Sequence, residues 1–298
     1  MIKQFRAGPL FHAILAALVL VSCASSPRIR SFYQDREDEF AALAPGARAY
    51  FYVDVPGART LLDRLSFWDL KGASQALDMT ESAVAAVYTG GGRRFLAAAR
   101  GSYPGLRTRL SFALSPAWKK VRSETGLRYW RSAGAGLSVS LDDGRALVSD
   151  GDPFVPGPGA RGPANLGEFR RGAVLAGWFD ETDPINRFIA SLGIPIQIPA
   201  DRLVFGVYPV GGADGGEKKY EAALCLETPS ESHAGALASL FSMVRLYLSA
   251  AEIPAAAGPI MAALFRDTPA RDGSNLLIRT GVMEESEIAL LLNMFSLY

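Results

Sequence analysis

The order of secondary-structure signals repeats once along this chain of 298 residues, and this repeat restricts the fold more than any other feature. Runs of apolar and aromatic residues indicate a strand over 49–54 and another over 174–180. Each strand leads into a proline that can open a helix, Pro56 in the first half and Pro184 in the second. Apolar residues at helical spacing follow both prolines, so each half is predicted to begin with a strand and a helix.

A pair of strands joined by a glycine-rich turn follows each helix, and Pro104 or Pro229 then opens a second helix. Thr228 and Glu231 have the spacing of a capping box, which predicts where the helix near Pro229 begins. A further hairpin follows in each half. The predicted hairpins are 83–88 with 95–99, 119–121 with 127–131, 203–208 with 220–225, and 268–270 with 276–280.

This sequence of elements, strand–helix–strand–strand–helix–strand, is that of ferredoxin-like α+β units. We therefore predict an α+β protein made of two degenerate ferredoxin-like strand-helix-strand-strand-helix-strand repeats with antiparallel sheets. The halves differ at their ends. The first continues into a hairpin, 137–141 with 146–149, and the second ends in a helix over 284–297.

The first 23 residues have the layout of an export signal. Lys3 and Arg6 precede an apolar run over 10–21, which is shorter than the roughly 20 apolar residues needed to span a bilayer. The run ends in Leu-Val-Ser-Cys at 20–23, with a small residue before Cys23. This arrangement resembles the lipobox of bacterial lipoprotein precursors. The alternatives are an uncleaved signal anchor and a secreted protein without lipid.

The resemblance implies that a signal peptide over 1–22 is removed and that a diacylglycerol is attached to Cys23. Two acyl chains hold a protein stably on a membrane, so the location implied is extracytoplasmic and lipid-anchored. Ala24, where an Asp would favour the inner membrane in enterobacteria, favours the outer membrane. The organisation expected is a signal over 1–22, a lipidated tether over 23–46, a first repeat over 47–150, a Pro/Gly linker over 151–172 and a second repeat over 173–298.

Charge and cysteine content exclude several classes of function. Loss of Lys3 and Arg6 with the signal leaves 29 basic against 30 acidic residues, a net charge of −1, which argues against nucleic-acid binding. With Cys23 lipidated, Cys225 has no disulfide partner, so the core must supply the stability. His233 is the remaining histidine once the signal is removed, which excludes a two-histidine zinc motif. We predict neither a metal nor a cofactor.

Three patterns that suggest chemistry are interpreted as structural. The Gly-x-Gly-x-x-Gly pattern at 157–162 is surrounded by prolines and precedes no periodic helix, so it is predicted to be linker. Cys225 lies mid-strand and His233 in a first helical turn, which favours an inert thiol and a surface histidine over a nucleophile and its base. The acidic runs 180–183 and 284–287 lie at helix starts and are predicted to cap them, calcium binding or acid–base work being the alternative.

The helix after Pro229 carries the strongest apolar stripe. We predict that it packs on a sheet, with one wall of an apolar ligand groove as the functional alternative. The function predicted is that of a non-catalytic envelope protein that binds a partner protein or acts as a scaffold, and not an enzyme. The alternatives are a carrier or chaperone for a hydrophobic ligand or peptide in a groove near 230–265, and a hydrolase. The predicted groove residues are Leu237, Phe241, Val244, Tyr247 and Leu248.

Overall fold

The chain divides into two compact units in the computed structural model. The first comprises Met1–Arg59 and Ser66–Ala164, and the second comprises Thr60–Leu65 and Asn165–Tyr298. The protein is mixed α+β, with extensive antiparallel sheet and few helices, which confirms the predicted fold class at that level. The structure describes residues 43, 46–64, 77–88, 94–103, 111–134, 136–142, 144–155, 169–180, 186, 198–211, 218–250, 262–263 and 265–296.

The first unit contains an antiparallel sheet with strand order β1-β2-β3-β7-β6-β5-β4. Helix α1 connects β1 to β2, and its last turn belongs to the second unit by its contacts. The elements are β1 (Ala49–Asp54), α1 (Val55–Asp63), β2 (Thr80–Val87), β3 (Phe95–Gly101), β4 (Trp118–Arg122), β5 (Arg128–Ser132), β6 (Ser138–Asp142) and β7 (Arg145–Ser149).

One face of this sheet carries a core rich in aromatic side chains. Phe112, from the helical residues 111–114 that precede β4, is buried against the rings of Trp118 and Trp130. Side chains from alternate positions of the strands complete the cluster, as the pleat of a strand requires. The buried members include Phe95, Ala99, Leu137, Val139, Leu141, Ala146 and Val148.

The second unit contains antiparallel strands in the order β11-β12-β10-β9-β8, and a short strand β13 that also pairs with β10. Helix α2 packs against β11 and β12, and helix α3 packs against β10. The elements are β8 (Leu175–Phe179), β9 (Arg202–Val210), β10 (Lys219–Glu227), α2 (Glu231–Ala250), β11 (Ala270–Asp272), β12 (Asn275–Arg279), β13 (Met283–Glu284) and α3 (Glu285–Ser296).

The core of the second unit is aliphatic where α2 meets the sheet. Leu237 of α2 is buried with Leu226 of β10 and Leu276 of β12. Phe205 packs at its margin and leaves no room for a side chain at Gly177 on the neighbouring strand, since a Cβ there would lie 2.1 Å from the Phe205 ring. Further buried members are Ile198, Leu203 and Ile278.

The predicted strands are confirmed with small shifts of their ends. The largest shift is at the start of β2, expected at 83 and found at Thr80, and the last hairpin, expected at 268–270 and 276–280, forms as β11 and β12. Its turn contains Gly273, whose φ of 56° lies in the left-handed region that glycine adopts most easily. The Asp-Gly turn predicted between β6 and β7 is confirmed at Gly144, where φ is 74°.

The finer ferredoxin-like arrangement is not confirmed. A split βαβ unit needs a helix that joins parallel strands, whereas β1 and β2, which flank α1, are antiparallel neighbours with Tyr50 opposite Ala86. The helix predicted after Pro184 lies outside the described residues except for Asn186, which is helical and accepts a 2.6 Å hydrogen bond from Ile198 N.

The predicted cap of α2 is wrong. The helix begins at Glu231, so Ser230 is the N-cap, and Ser230 Oγ accepts a hydrogen bond from His233 N at 3.4 Å. Thr228, the predicted cap, donates its hydroxyl to the carbonyls of Ser230 and Ser274 and fixes the chain before the helix. Serine is an equally good cap, and the sequence pattern could not separate the two positions.

Candidate functional site

The lipidation site Cys23 lies outside the described residues, as do the signal and most of the tether. The linker pattern at 157–162 and the acidic run at 181–183 also lie outside them. Tyr247 and Leu248 belong to the backbone of α2, but their side chains are not described. Evidence for a site therefore comes from α2 up to residue 246, from the polar groups around α3 and from the hairpin β4–β5.

The inner side of α2 packs on the sheet. Leu237 is buried in the core, and Val244 and Phe241 are half-buried. The Phe241 ring lies 5.3 Å from the ring of Phe265, measured between centroids. The structure thus places Leu237 among core residues and leaves Phe241 and Val244 as the predicted groove residues with some exposure.

The outer side of α2 exposes two large apolar side chains. Met243 is 66% exposed and Leu246 is 71% exposed. They flank Arg245, whose guanidinium Nη1 lies 3.4 Å from Thr268 Oγ1. Exposed apolar residues one turn apart on a helix can contact a peptide or a lipid chain. Neither residue is among the groove residues predicted from the sequence.

Cys225 and His233 occupy unrelated environments. Burial, followed by the charges of Glu227 and Asp272, raises the pKa of the Cys225 thiol, which disfavours the reactive thiolate. The imidazole Nδ1 of His233 lies 2.7 Å from Ser230 Oγ at the start of α2. Cys225 lies within β10 and His233 in the first turn of α2, where the sequence predicted them.

The acidic run before α3 divides into two roles. Glu287 Oε2 accepts a 2.8 Å hydrogen bond from Glu284 N, which is the capping role predicted for this run. Glu285 is instead buried, and its carboxylate accepts hydrogen bonds from Thr60 Oγ1 and from Arg64 Nε at 3.2 Å. Sequence reasoning missed this role because the two partners lie more than 200 residues away in α1 and the turn after it.

Tyr220 completes the group around Glu285. Its fully buried hydroxyl donates to Glu285 Oε1 at 3.3 Å. Burial raises the pKa of Tyr220, a hydrogen bond with Thr60 opposes this rise, and the charge of Glu285 adds to it. A carboxylate with three donors inside a unit is satisfied, and the arrangement therefore stabilises the start of α3. Within the described residues, no three acidic, cysteine or histidine side chains group together as a metal site would require.

The hairpin β4–β5 carries a dense group of positive charges. Five of its ten strand positions are exposed cations, namely Lys119, Lys120, Arg122, Arg128 and Arg131. The register places Lys119 directly opposite Arg131, and Arg122 directly opposite Arg128. In the described part of the chain, none of the five forms an ion pair with a carboxylate. We call these five residues the basic hairpin patch.

Aromatic side chains pack on both faces of the hairpin that carries the basic hairpin patch. Lys120 Nζ lies 5.7 Å above the Trp130 ring, a cation–π contact. Trp130 in turn stacks on Phe112 at 5.6 Å, and Trp118 meets the edge of Phe112 at 4.7 Å. On the other face, Tyr129 is buried beside Phe154. The charge run was visible in the sequence, but only the register shows that like charges face each other.

The described helices include none with both the length and the apolar character needed to cross a membrane. No protein family and no curated protein matches this chain. Three crystal structures of TP0453, a protein of Treponema, are similar in fold. Crystal form III is 17% identical with a TM-score of 0.55, covering 87% of this chain and 99% of that one. Form I has the same identity and score with 89% and 99% covered, and form IV has 18% identity and a score of 0.55 with 88% and 98% covered. At these identities the likeness concerns the fold alone.

Proposed function

We propose that this chain is a lipoprotein of the bacterial cell envelope whose folded part binds a partner protein and does not catalyse a reaction. The lipobox at 20–23 supports cleavage before Cys23 and a lipid on its sulfur. The tether over 23–46 would reach about 80 Å when extended, so the folded units can contact other envelope proteins. Ala24 supports the outer membrane as the destination.

The observation that carries partner binding is the basic hairpin patch. Exposed like charges directly across two strands are unfavourable in the isolated hairpin, and an anionic partner would offset that cost. The setting of Cys225 supports a non-catalytic role, because its raised pKa disfavours the nucleophilic thiolate. Neither metal nor cofactor enters this proposal.

The anchor is tested by labelling with radioactive palmitate. Cys23→Ser should abolish the label and move the protein into the aqueous phase of a detergent cloud-point separation. Cys225→Ser is the matched control and should keep the label. A labelled Cys23→Ser protein would refute the lipidation site.

Partner binding is tested by chemical cross-linking in native envelopes followed by mass spectrometry. Wild-type protein should cross-link to one partner at a stoichiometry that Cys225→Ser does not change. Absence of any reproducible partner would contradict the proposed function. Reversal of Lys119 and Arg131 to glutamate should reduce the cross-link, since both side chains belong to the patch.

A carrier for a hydrophobic ligand or peptide is the second candidate function. It is favoured by Met243 and Leu246, which are exposed beside the half-buried pair of Phe241 and Phe265. Native mass spectrometry of the mature protein and uptake of a hydrophobic dye test it. A carrier should lose dye when Met243 and Leu246 become serine, whereas equal dye uptake by this variant and the wild type would rule against it.

We further propose that the two units are degenerate copies of one strand-helix-strand-strand-helix-strand unit with the ferredoxin-like order of elements. The support is the repeated neighbourhood β1-β2-β3 in one unit and β8-β9-β10 in the other, each joined on the far side by a strand of a later hairpin. An experimental structure in which 181–197 forms no helix between β8 and β9 would contradict the duplication.

A further inference from the structure

We propose that β4 is a docking strand, which accepts an extended acidic segment of the partner protein as an additional antiparallel strand. Carboxylates on that segment would pair with Lys119, Lys120 and Arg122. The inference rests on the proposed function, since it names the chemistry by which the partner is recognised. It places the binding site on the outer edge of β4, the last strand in the order of the first unit.

The backbone of β4 has the geometry that strand addition requires. β4 is the last strand in the order of its sheet, and no described strand pairs with its outer side. The ladder to β5 includes a 2.8 Å hydrogen bond from Ser123 N to Leu127 O. Because bonded pairs recur at every second residue, the even-numbered residues Lys120 and Arg122 turn their N–H and C=O groups outward. These groups can bind a further strand.

The side chains of the patch specify an acidic partner on both faces. Lys119 and Arg131 share one face of the hairpin, and Lys120, Arg122 and Arg128 share the other. An added strand also alternates its side chains between the two faces, so acidic residues opposite Lys119, Lys120 and Arg122 would meet a cation on either face. Such pairs would replace cross-strand repulsion with attraction.

A flat anionic surface fits this distribution less well. A bilayer can contact one face of the hairpin, which leaves either the pair of Lys119 and Arg131 or the three cations of the other face turned away. An extended strand contacts both faces along the edge. The two-sided distribution of charge therefore favours an acidic segment over lipid headgroups.

Protection of an exposed edge does not explain the whole patch. Lysines on an edge strand commonly prevent unwanted pairing, and this accounts for Lys119 and Lys120. It does not account for Arg128 and Arg131, which lie on β5, the inner strand of the hairpin. On β11, the outermost strand of the second unit, Arg271 faces Leu276 and no like charge. Edge protection is achieved there without opposed cations.

The hairpin is also held rigid before any partner binds. Phe112, Trp118 and Trp130 pack together on one face, and Tyr129 packs with Phe154 on the other. A strand that is already fixed loses little conformational entropy when another strand pairs with it. The aromatic packing thus prepares the edge of β4 for binding.

The test separates backbone pairing from charge. The mature, lipidated protein in detergent is titrated with a short capped peptide of consecutive glutamates, which present carboxylates on both faces of an extended strand, and with the same peptide carrying glutamine. Lys120→Ala and Lys120→Pro remove the same charge, but only the proline removes the outward N–H. We expect Lys120→Pro to bind the acidic peptide at least about tenfold more weakly than Lys120→Ala, and the glutamine peptide to bind neither.

A second measurement covers the case in which Lys120→Pro does not fold. The acidic peptide is methylated on alternate backbone nitrogens, which removes its donors without changing the protein. Strand addition predicts that the methylated peptide loses binding in at least one of its two registers. Arg271→Glu on β11 is the charge control and should leave the affinity for the unmodified peptide unchanged.

Two results would overturn the docking strand. One is equal binding by Lys120→Ala and Lys120→Pro together with unchanged binding of the methylated peptides. The other is binding to phosphatidylglycerol vesicles, abolished by Lys119→Glu, with no binding to the acidic peptide. If either result occurs while the cross-linked partner persists in envelopes, the docking strand fails and partner binding stands. Loss of the envelope partner itself would refute the proposed function instead.

Discussion

The hairpins β4–β5 and β11–β12 follow the same kind of element order in the two units, but they are integrated differently. In the second unit, β12 pairs directly with β10, and α2 covers the hairpin. In the first unit, the inserted hairpin β6–β7 separates β5 from β3, and the hairpin buries its own tryptophans against Phe112. One face of each peripheral hairpin is thus buried, by α2 in the second unit and by Phe112, from the helical residues 111–114, in the first.

The charges of the two hairpins differ as well. β4–β5 opposes like charges twice, whereas the residues opposite Arg271 and Asp272 in β11–β12 are Leu276 and Asn275. The formal net charge of the whole chain is only +1, so a global count conceals this local excess. Local register, and not overall charge, determines where an anionic partner can bind.

Removal of the Phe112 ring should have the largest effect, because this buried ring packs against both Trp118 and Trp130 in the core of the first unit. Phe112→Ala is expected to lower the free energy of unfolding by about 3–5 kcal/mol. Urea unfolding followed by tryptophan fluorescence should show a lower midpoint and a red-shifted native spectrum, since Trp118 and Trp130 gain water. A cost equal to that of Leu114→Ala would contradict the comparison, because Leu114 is 80% exposed and its loss should cost under about 0.5 kcal/mol.

The individual elements were predictable because their signals are local. Alternation, prolines and the Asp-Gly turn placed β1, β6, β7 and the hairpin β9–β10 within a few residues of their true ends. The strand order was not predictable, since nothing local indicates that β7 and not β4 pairs with β3. The ferredoxin-like expectation followed the element order alone and assumed a pairing that the first unit does not have.

The candidate sites were less predictable than the fold. The contact of Glu285 with Thr60 and Arg64 joins distant parts of the sequence, and no spacing rule connects them. The patch on β4–β5 consists of ordinary surface residues until the register places Lys119 opposite Arg131. The stripe on α2 was correctly read as a packed face at Leu237, but the exposed positions Met243 and Leu246 depend on how the helix is rotated.

A buried tyrosine beside the aromatic cluster makes the first unit sensitive to alkali. Burial raises the pKa of Tyr103 to about 12, and its hydroxyl lies 3.2 Å from Thr80 Oγ1. The pKa of Tyr103 is higher in the native protein than its ordinary value of 10, which applies to the unfolded chain. The tyrosine therefore contributes its full stabilisation of the native state below pH 10, and this contribution is lost as the pH rises toward 12. The full contribution is about 2–3 kcal/mol.

This sensitivity is measured by urea unfolding at pH 8 and at stepwise higher pH up to about 11.5. The wild type should lose more stability over this range than Tyr103→Phe, whose ring cannot ionise. Tyr220→Phe provides the comparison for the second unit, since burial also raises the pKa of Tyr220. Parallel pH profiles for the wild type and Tyr103→Phe would show that Tyr103 ionises as freely in the native protein as in the unfolded chain.

Replacement of Glu285 tests whether the hydrogen bonds of its buried carboxylate stabilise the second unit. Glu285→Ala removes the acceptor that Tyr220, Thr60 and Arg64 share and should cost about 1–3 kcal/mol. Glu285→Gln keeps one acceptor oxygen and should cost less. Glu284→Ala, an exposed neighbour, is the matched control in the same unfolding assay. A larger effect for Glu284→Ala than for Glu285→Ala would show that the buried contacts contribute nothing.

Reversal of a single opposed charge should have the smallest effect and tests the electrostatic difference between the hairpins most directly. Arg128→Glu turns the repulsive pair with Arg122 into an attractive one, and should raise the free energy of unfolding by about 0.2–1 kcal/mol at low salt. The gain should shrink at 1 M salt, where the screening length falls to about 3 Å. Arg271 lies opposite the uncharged Leu276, so Arg271→Glu should give no salt-dependent gain in the free energy of unfolding. If Arg128→Glu and Arg271→Glu stabilise the protein equally, solvent already screens the repulsion between the opposed cations of β4 and β5. An acidic partner would then have no unfavourable charge pair to relieve.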